Sequence, residues 1–365
     1  QVPCRTESAA AWSGGAAGGG VVSICEKEKR ESEMKKLGCM LMAVLMAVTV
    51  SGCSDKKEAS ENKETEKKVT LILDYLPNTN HTGFYVAKEK GFFKEEGLEV
   101  DIIEPGDDST SATLVAANKG EFGVSYQEDV TYARTAEEPL PIRAIATIIQ
   151  HNTSGFVSLK KENIKTPKDF EGKIYAGWQA PSEEAVVKAV MTAAKADFSK
   201  LTMVGADGSG FASLGKSVDI QWEFEGWAVT KGRMEGYELN YIPLRELDER
   251  LDYYTPLIIT SEKMIKEDPE TVQKFMNAVK KGYEYAIENP DASAEILSKY
   301  APDYDLKFLK ESQKYLSSEY ARDADSWGVM KDSVWDNYTA FMYENKLITE
   351  KIKADEQYTN EFVMK

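Results

Sequence analysis

The stretch VTLILDYLPNTNHTGFYVAKEKGFFKEEGLEV, residues 69–100, decides the fold. It begins with an apolar run, residues 69–75, which is followed by a polar loop with a proline and is typical of a buried strand. A short helical pattern at residues 82–90 ends at a glycine, and a second strand-like run occupies residues 98–103. This order predicts a βαβ unit of a parallel sheet, whose first loop lies where open α/β sheets bind ligands.

The same alternation of strands and helices continues and predicts an α/β fold with two lobes. We assign residues 69–157 to the first lobe and residues 158–256 to the second, and we expect the helical C-terminus, residues 257–365, to complete the first lobe. The chain would then cross between the lobes twice, near residues 157–160 and 256–260. Two hinge strands at these crossings would let the lobes close on a ligand.

The composition limits the classes of partner. The chain has 365 residues, 42% of them apolar, and a formal net charge of −16. That length and apolar fraction suffice for two domains with a real core. Nucleic acids and anionic lipid headgroups attract basic surfaces, so the acidic balance argues against both as partners. We also expect a monomer that carries no cofactor.

The N-terminal part carries signals of export. Residues 1–33 show no pattern, and Met34 is followed by two lysines and an apolar run at residues 37–50 that is too short to span a membrane. The sequence Val-Ser-Gly-Cys ending at Cys53 resembles a bacterial lipobox. It implies cleavage before that cysteine, a lipid on its sulfur and a location on the extracytoplasmic face of the cell membrane. Residues 54–68 are charged and poor in apolar side chains, which predicts a disordered tether.

The sequence lacks the residues that several kinds of metal binding and catalysis require. None of the four cysteines lies after position 53, which excludes a disulfide, a cysteine-ligated metal and a thiol nucleophile from the folded part. With only two histidines in the chain, a histidine-rich metal site is not expected. The sequence has no P-loop, no G-x-S-x-G motif and no G-x-G-x-x-G motif that opens a helix. We therefore predict a binding protein without catalytic residues.

Five clusters of polar and aromatic residues each follow a predicted strand. Because the carboxyl ends of parallel strands meet at one edge of a sheet, the two lobes would turn all five clusters toward one cleft. The clusters are residues 75–81, 125–128, 150–154, 177–184 and 222–227.

Aromatic side chains in these clusters suit the binding of a flat ring, because offset stacking adds about 0.5–1.5 kcal/mol beyond the burial of area. Trp178 stands between a glycine and a polar residue, where core packing is less natural. Trp227 lies at a helix start and suits packing and binding equally. The aromatic candidates for ligand contact are Tyr75, Tyr126, Trp178 and Trp222.

Polar residues of the clusters offer hydrogen bonds to the edge of such a ring. Asn80 supplies an amide donor and acceptor or, alternatively, a helix cap. His81 contacts either the ring or its own loop. Of Glu223 and Glu225, we expect only one to face the cleft. That carboxylate would accept paired hydrogen bonds from the nitrogens of an aminopyrimidine; otherwise it is a solvated acid near a helix N-terminus.

The motifs resemble those of a known family over roughly residues 69–346. They are similar to the substrate-binding proteins of ABC importers for thiamine pyrimidine precursors, the ThiY-like branch of a superfamily with SsuA-like proteins and the fungal pyrimidine synthases. The resemblance implies a type II periplasmic-binding-protein fold, an ABC permease as partner and a formylaminopyrimidine or hydroxymethylpyrimidine as ligand. The motifs are LDYLPNTNHTGFYVAKEKGFFKEEGLEV, EFGVSYQEDVTYAR, IIQHNTSGF, DFEGKIYAGWQAPSEEAVVK and WEFEGW.

The resemblance also assigns residues, with two departures. Bacterial relatives often carry Trp in place of Tyr75 and Gly-Gly-Trp-Gly in place of residues 176–179, so riboflavin or another aromatic heterocycle is an alternative ligand. The fungal enzymes use a cysteine-rich motif and a loop histidine; the comparable loop holds His81, but the cysteines are absent, which disfavours the alternative of a synthase. The ligand contacts implied by the resemblance are Asn80, His81, Tyr126, Trp178 and Glu225.

Overall fold

The structure is a computed structural model that describes residues 66–106 and 109–364. The predicted export signal, Cys53 and most of the tether lie outside these residues. The first strand begins at Lys67, so it includes the last two residues of the predicted tether. None of the helices in the described ranges is both long and apolar enough to cross a bilayer.

The strands of the described residues form two five-stranded sheets, one in each lobe. Strands β3 and β10 are buried along their whole length, as expected for strands covered on both faces. The first sheet contains β1 (Lys67–Ile72), β2 (Leu98–Ile103), β3 (Phe122–Ser125), β4 (Ile142–Thr147) and β10 (Leu257–Ser261). The second contains β5 (Ser154–Leu159), β6 (Ile174–Gly177), β7 (Thr202–Gly205), β8 (Ile220–Phe224) and β9 (Leu239–Pro243).

The two sheets share one topology. Their orders are β2-β1-β3-β10-β4 and β7-β6-β8-β5-β9. In each sheet the fourth strand runs antiparallel to both of its neighbours, and that strand is β10 in the first sheet and β5 in the second. These are the strands by which the chain enters one lobe from the other. The prediction of an α/β fold with two lobes and two hinge strands is therefore confirmed.

Helices cover both sheets, and the long α9 packs on the first one, where Phe275 stacks on Phe122 with ring centroids 3.7 Å apart. A turn of π-helix at Glu225–Val229 follows β8 directly. The α-helices are α1 (Thr82–Glu89), α2 (Phe92–Glu95), α3 (Ser111–Ala116), α4 (Gln127–Thr135), α5 (Pro181–Ala193), α6 (Thr230–Met234), α7 (Leu244–Leu247), α8 (Glu262–Glu267), α9 (Pro269–Glu288), α10 (Pro290–Ser298), α11 (Leu306–Glu319), α12 (Asp332–Glu344) and α13 (Ala354–Gln357).

Helix α12 departs from the predicted division of the chain. Its Trp335 belongs to the core of the first lobe, whereas Tyr338 and Phe341, one helical turn further on, pack into the core around β5 and β8. The prediction that residues 257–365 serve the first lobe alone is therefore corrected. The reason is tertiary: an amphipathic helix with a wide apolar face can be shared by two neighbouring cores.

Candidate functional site

The loop after β1 forms part of the first wall of the cleft, which we define as Asp74, Tyr75, Asn80 and Tyr126. The cap of this loop is Asn78, whose side chain accepts a hydrogen bond from the backbone N–H of Asn80 at 2.9 Å. Asn80 is therefore not the cap, and its half-buried side chain has no hydrogen bond to another residue of the described ranges. Its amide remains available to a ligand.

His81 is fully buried and has a different role from the predicted ring contact. Its Nδ1 accepts from the backbone N–H of Asn78 at 3.3 Å, so its Nε2 carries the hydrogen and donates to Asp74 Oδ1 at 2.7 Å. With both nitrogens engaged, the imidazole positions Asp74 and has no atom left for a ligand. We missed Asp74, although an acid directly after the apolar run Leu-Ile-Leu was a usable signal.

Tyr126 follows the neighbouring strand β3 and is 40% exposed. Burial and the nearby charges of Asp74, Asp129 and Glu128 raise its pKa well above the usual range. Burial also raises the pKa of Asp129, which accepts from Ser125 Oγ at 2.9 Å. The first wall is therefore an aromatic and acidic surface whose carboxylates already have donors.

The loop after β6 carries Trp178, and the end of β8 carries Trp222 and Glu223, which are adjacent and point to opposite faces of the sheet. We call these three residues the second wall. Buried Glu183 holds the loop after β6, because its carboxylate accepts from the N–H of Trp178 at 3.2 Å, the N–H of Gln179 at 2.7 Å and the hydroxyl of Tyr175 at 2.6 Å. A Cβ on Gly177 would lie 1.6 Å from Glu183 Oε1, so only glycine fits there. Burial raises the pKa of Glu183.

The two tryptophans of the second wall divide their roles. Trp178 is 39% exposed, whereas Trp222 is only 7% exposed and packs against Phe156 with ring centroids 5.7 Å apart. The rings of Trp178 and Trp222 contact each other at 5.0 Å with planes tilted by 58°. Trp222 therefore supports Trp178 from the core, which corrects the prediction that it contacts the ligand itself.

The two glutamates after Trp222 are distinguished by their partners. Glu225 accepts from the hydroxyl of Tyr315 at 3.0 Å and pairs with the guanidinium of Arg233 at 3.1 Å. Glu223 is only part-exposed and makes no hydrogen bond or ion pair within residues 66–106 and 109–364; burial raises its pKa to about 7. Glu225, the carboxylate implied by the resemblance, is thus already engaged by Tyr315 and Arg233, whereas Glu223 has no such partner among the described residues.

The π-helical turn after β8 docks on helix α11 of the first lobe. Trp227 packs against Tyr304 and Phe308 with centroid distances of 4.9 and 4.7 Å, so it is a packing residue. Ser312 Oγ donates to the carbonyl of Gly226 and lies 2.6 Å from Thr79 Oγ1 in the loop after β1. One end of the cleft is thus closed by contacts between the lobes.

A second contact between the lobes brings the exposed aromatics toward each other. Glu128, in the first turn of α4, accepts from the hydroxyls of Tyr338 and of Ser182 in the first turn of α5. Tyr126 precedes α4 and Trp178 lies just before α5. Tyr126 and Trp178 therefore flank the contact between Glu128 and Ser182.

The cluster at residues 150–154 lies just before β5 and bonds to the segment that precedes β10. His151 Nδ1 bonds Asp252 Oδ2 at 2.6 Å, and the backbone N–H of buried Asn152 donates to Asp252 Oδ1 at 2.9 Å. These bonds tie the first crossing of the chain to the second. No group of three or more metal-binding side chains is placed to hold a metal ion in the described part of the chain.

Three proteins that are similar to this chain differ in the functions that their names describe. A formylaminopyrimidine-binding protein of Halalkalibacterium halodurans is 24% identical over 88% of this chain and 98% of its own length. The riboflavin-binding protein RibY of Chloroflexus aurantiacus is 23% identical over 90% and 99%. A 4-amino-5-hydroxymethyl-2-methylpyrimidine phosphate synthase of Legionella pneumophila is 22% identical over 82% and 93%.

Similarity to solved structures identifies the fold of the chain, and a match to a family model identifies its family. The alkanesulfonate-binding protein SsuA from Xanthomonas axonopodis pv. citri, bound to MOPS, superposes with a TM-score of 0.59 at 10% identity, over 80% of this chain and 98% of that one. The protein thus has the fold of a periplasmic binding protein. Residues 78–293, more than half of the chain, match the family described as "NMT1/THI5 like". The chain belongs to the NMT1/THI5-like family.

Proposed function

We propose that the protein is the solute-binding component of an ABC importer and that its cleft binds a thiamine pyrimidine precursor of the formylaminopyrimidine or hydroxymethylpyrimidine type. The relative from Halalkalibacterium halodurans supports this ligand class, and the binding-protein fold supports the role in transport. One observation carries the proposal. The half-exposed ring of Trp178 is held by Glu183 and Trp222 at the end of β6, and Glu223, near the end of the neighbouring β8, has no hydrogen-bond partner within residues 66–106 and 109–364.

Binding in this arrangement needs stacking and hydrogen bonds but no chemistry. A flat heteroaromatic ring would lie on Trp178 and present its nitrogens to the polar atoms of the cleft. Tyr126 and Asn80 would then close over it from the first lobe as the hinge strands bend. The closed lobes would form the surface that the permease recognises.

The same proposal includes an anchor at Cys53. A lipid on this cysteine, followed by the charged residues 54–68, would hold the binding lobes at the extracytoplasmic face of the membrane. Detergent-phase partitioning of the expressed full chain and of Cys53→Ala tests this step. We expect the parent chain in the detergent phase and the variant in the aqueous phase; equal partitioning would contradict the anchor.

Mass spectrometry of the ligand released from the purified protein tests the ligand class. Thermal-shift titrations with formylaminopyrimidine, hydroxymethylpyrimidine and riboflavin provide the quantitative comparison, because a ligand at 100 times its Kd stabilises the native state by about 2.7 kcal/mol. We expect a pyrimidine in the released fraction and the largest shift with one of the two pyrimidines. The absence of a shift with both would refute the proposal.

Riboflavin is the second candidate, on a specific observation. Tyr75, Tyr126 and Trp178 are each about 40% exposed, and the fused rings of a flavin could stack on several aromatic side chains, whereas a pyrimidine has a single ring. The relative RibY supports a flavin as an alternative ligand. A larger thermal shift with riboflavin than with either pyrimidine would favour it.

A pyrimidine synthase is the third candidate, supported by the similarity to the 4-amino-5-hydroxymethyl-2-methylpyrimidine phosphate synthase of Legionella pneumophila. The burial of His81 speaks against it, because a reacting imidazole needs access to its substrate and both nitrogens of this one are engaged. Product formed by the purified protein in a single-turnover assay would restore this candidate.

A further inference from the structure

Helix α11 links the two lobes along one narrow face. The helix itself packs into the core of the first lobe. Four of its residues, at spacings of four, three and four, lie on a single stripe of the helix and contact the second lobe. They are Phe308, Ser312, Tyr315 and Glu319. We call this stripe the joint.

The two ends of the joint make strong contacts of different kinds. At one end, the ring of Phe308 packs on Trp227 with centroids 4.7 Å apart. At the other end, Glu319 accepts from the guanidinium of Arg245 at 2.8 Å, and the side chain of Glu319 is only 3% exposed. Separating such a pair would leave a buried charge without its partner, which is strongly unfavourable.

The middle of the joint is packed so closely that only glycine fits opposite it. Ser312 Oγ donates to the carbonyl of Gly226, and the hydroxyl of Tyr315 donates to Glu225 at 3.0 Å. A Cβ on Gly226 would lie 2.8 Å from Cδ1 of Tyr315. Because close-packed groups of this kind do not slide past one another, the π-helical turn is fixed on α11.

A second contact between the lobes depends on one carboxylate. Glu128 of α4 accepts from the hydroxyls of Tyr338 and Ser182. Tyr338 packs in the core around β5 and β8 and Ser182 lies in the first turn of α5, so both donors are on the side of the second lobe.

This second contact is much easier to break than the joint. Burial raises the pKa of Glu128 more than its bonds to the two hydroxyls lower it, so the carboxylate is poorly compensated for the loss of water. Separation of α4 from α5 would return it to water, and the regained solvation would offset the two lost hydrogen bonds. The joint has no such compensation, because its contacts are largely apolar or pair opposite charges.

The two contacts lie at different strand ends. Ser312 joins the turn after β8 to the loop after β1, whereas Glu128 follows β3 and Ser182 follows β6. Tyr126 directly precedes α4 and Trp178 lies just before α5, so these two rings flank the contact of Glu128. If that contact breaks while the joint holds, the lobes separate on the side of these rings.

We propose that the joint on α11 stays fixed during the motion of the lobes and that Glu128 is the latch at which they separate. When the bonds of Glu128 to Ser182 and Tyr338 break, the cleft opens between α4 and α5, and a ligand enters past Tyr126 and Trp178. Two hinge strands alone allow several directions of opening, and a fixed joint beside them leaves rotation on one side. This inference goes beyond the proposed function, because it does not depend on which ligand the cleft takes.

Distances between pairs of spin labels, measured by double electron–electron resonance on the full chain, test this inference. The four native cysteines, none of which lies after position 53, are replaced by serine so that labels attach only to introduced cysteines. One pair spans the latch, at Glu137 after α4 and Lys188 in α5. The other spans the joint, at Glu235 after α6 and Lys314 in α11. All four positions are exposed.

Three variants alter the latch in different ways. Ser182→Ala removes one donor, Ser182→Ala combined with Tyr338→Phe removes both, and Glu128→Ala removes the acceptor. Ser217→Ala is the matched control, since Ser217 is an exposed serine of the same lobe. Thermal melts confirm that each variant folds, and Ser182→Ala alone serves if the double variant does not.

We expect Ser182→Ala to raise the ratio of open to closed molecules, read from the latch pair, by about 5- to 30-fold, and the double variant to raise it further. Glu128→Ala should have a smaller effect than Ser182→Ala, because it removes the desolvated carboxylate together with its bonds. The joint pair should keep the parent's distances in all three variants. Gly226→Ala, whose Cβ would meet the ring of Tyr315, should instead broaden the distances of the joint pair.

Two results would overturn the inference. If no latch variant lengthens the latch pair beyond the Ser217→Ala control, Glu128 does not hold the lobes together. If the joint pair lengthens as much as the latch pair, the lobes separate along their whole boundary and the joint is not fixed.

Discussion

The two walls of the cleft differ in whether their carboxylates already have hydrogen-bond donors. In the first wall, Asp74 already has the donor His81, so this wall offers mainly shape and the faces of Tyr75 and Tyr126. In the second wall, Glu183 is saturated with donors and holds the Trp178 loop, yet Glu223 has no partner among the described residues. The difference suggests that the second lobe recognises the ring and that the first lobe covers it. Substitutions in the second wall should therefore weaken ligand binding more than substitutions in the first wall.

The largest effects should separate the two tryptophans of the second wall. Trp222→Ala removes a buried ring that packs on Phe156 and should lower the free energy of unfolding by about 3–5 kcal/mol. Trp178→Ala removes a half-exposed ring and should cost less than about 1 kcal/mol of stability while weakening the ligand about tenfold or more. Chemical denaturation and titration of both variants test this. Equal losses of stability would show that Trp178 is part of the core.

A smaller effect should follow from Gly177→Ala. The added Cβ would lie 1.6 Å from Glu183 Oε1 and displace the carboxylate that holds Trp178, which should cost about 1–3 kcal/mol and weaken the ligand. Gly106→Ala is the matched control, since a Cβ there would meet no atom within 4 Å. Denaturation midpoints of the two variants decide the matter; a Gly177→Ala protein as stable as the control would show that the loop has another supported conformation.

In the first wall, the bond between His81 and Asp74 should appear as a coupling in stability. His81→Phe keeps a buried ring but leaves Asp74 without its donor, and Asp74→Asn removes the charge. A double-mutant cycle should give a coupling free energy of about 1–2 kcal/mol. Each single substitution leaves one partner without its hydrogen bond, and that penalty is absent once both partners are changed. Ligand affinity should change by less than about tenfold. Additive effects of the two substitutions would argue against the pair.

The smallest effect should be a pH dependence that belongs to Glu223. Its pKa is about 7 in the folded chain against an ordinary value of 4.5, so the folded state binds the proton more tightly than the unfolded state. The protonated Glu223 therefore favours the folded state: its contribution to the free energy of unfolding is fully present below pH 4.5 and is lost as the pH rises to about 7. Relative to the parent, Glu223→Gln should gain on the order of 1 kcal/mol across this window.

Melting curves of the parent and of Glu223→Gln at several pH values measure that difference. Glu128, Asp129 and Glu183 also have raised pKa values, but they are unchanged in the variant and cancel in the comparison. A difference in stability that stays constant from pH 4.5 to 8 would contradict an unpaired, buried Glu223.

The sequence allowed much of the fold to be predicted, because the decisive signals are local. The βαβ stretch at residues 69–100 has its strand and helix patterns within thirty residues, and the two crossing strands were visible as short apolar runs. Trp178 was identifiable for the same reason, since a ring between Gly177 and a polar neighbour has little core to join. The sharing of α12 by both lobes had no such signal, because it depends on how the lobes meet.

The carboxylate of the site could not be chosen from the sequence. Glu223 lies in β8, whereas Glu225 begins the π-helical turn after it, so strand alternation does not decide between them. The partner that claims Glu225 is Tyr315, ninety residues further along the chain. His81 posed the same difficulty, because its burial depends on the acceptor Asp74 and on the fold of the whole loop. The ligand contacts expected for Glu225 and His81 could not be judged from the sequence, because the roles of these side chains depend on hydrogen-bond partners that the local sequence pattern does not reveal.

The central claim is that the second lobe recognises the ring through Trp178 and Glu223. A crystal structure of the protein with 4-amino-5-hydroxymethyl-2-methylpyrimidine tests it most directly. We expect the ring to stack on Trp178 and its amino nitrogen to lie about 3 Å from a Glu223 oxygen, with the pair between Glu225 and Arg233 intact. A ring whose donors meet Glu225, or one bound away from Trp178, would contradict the account.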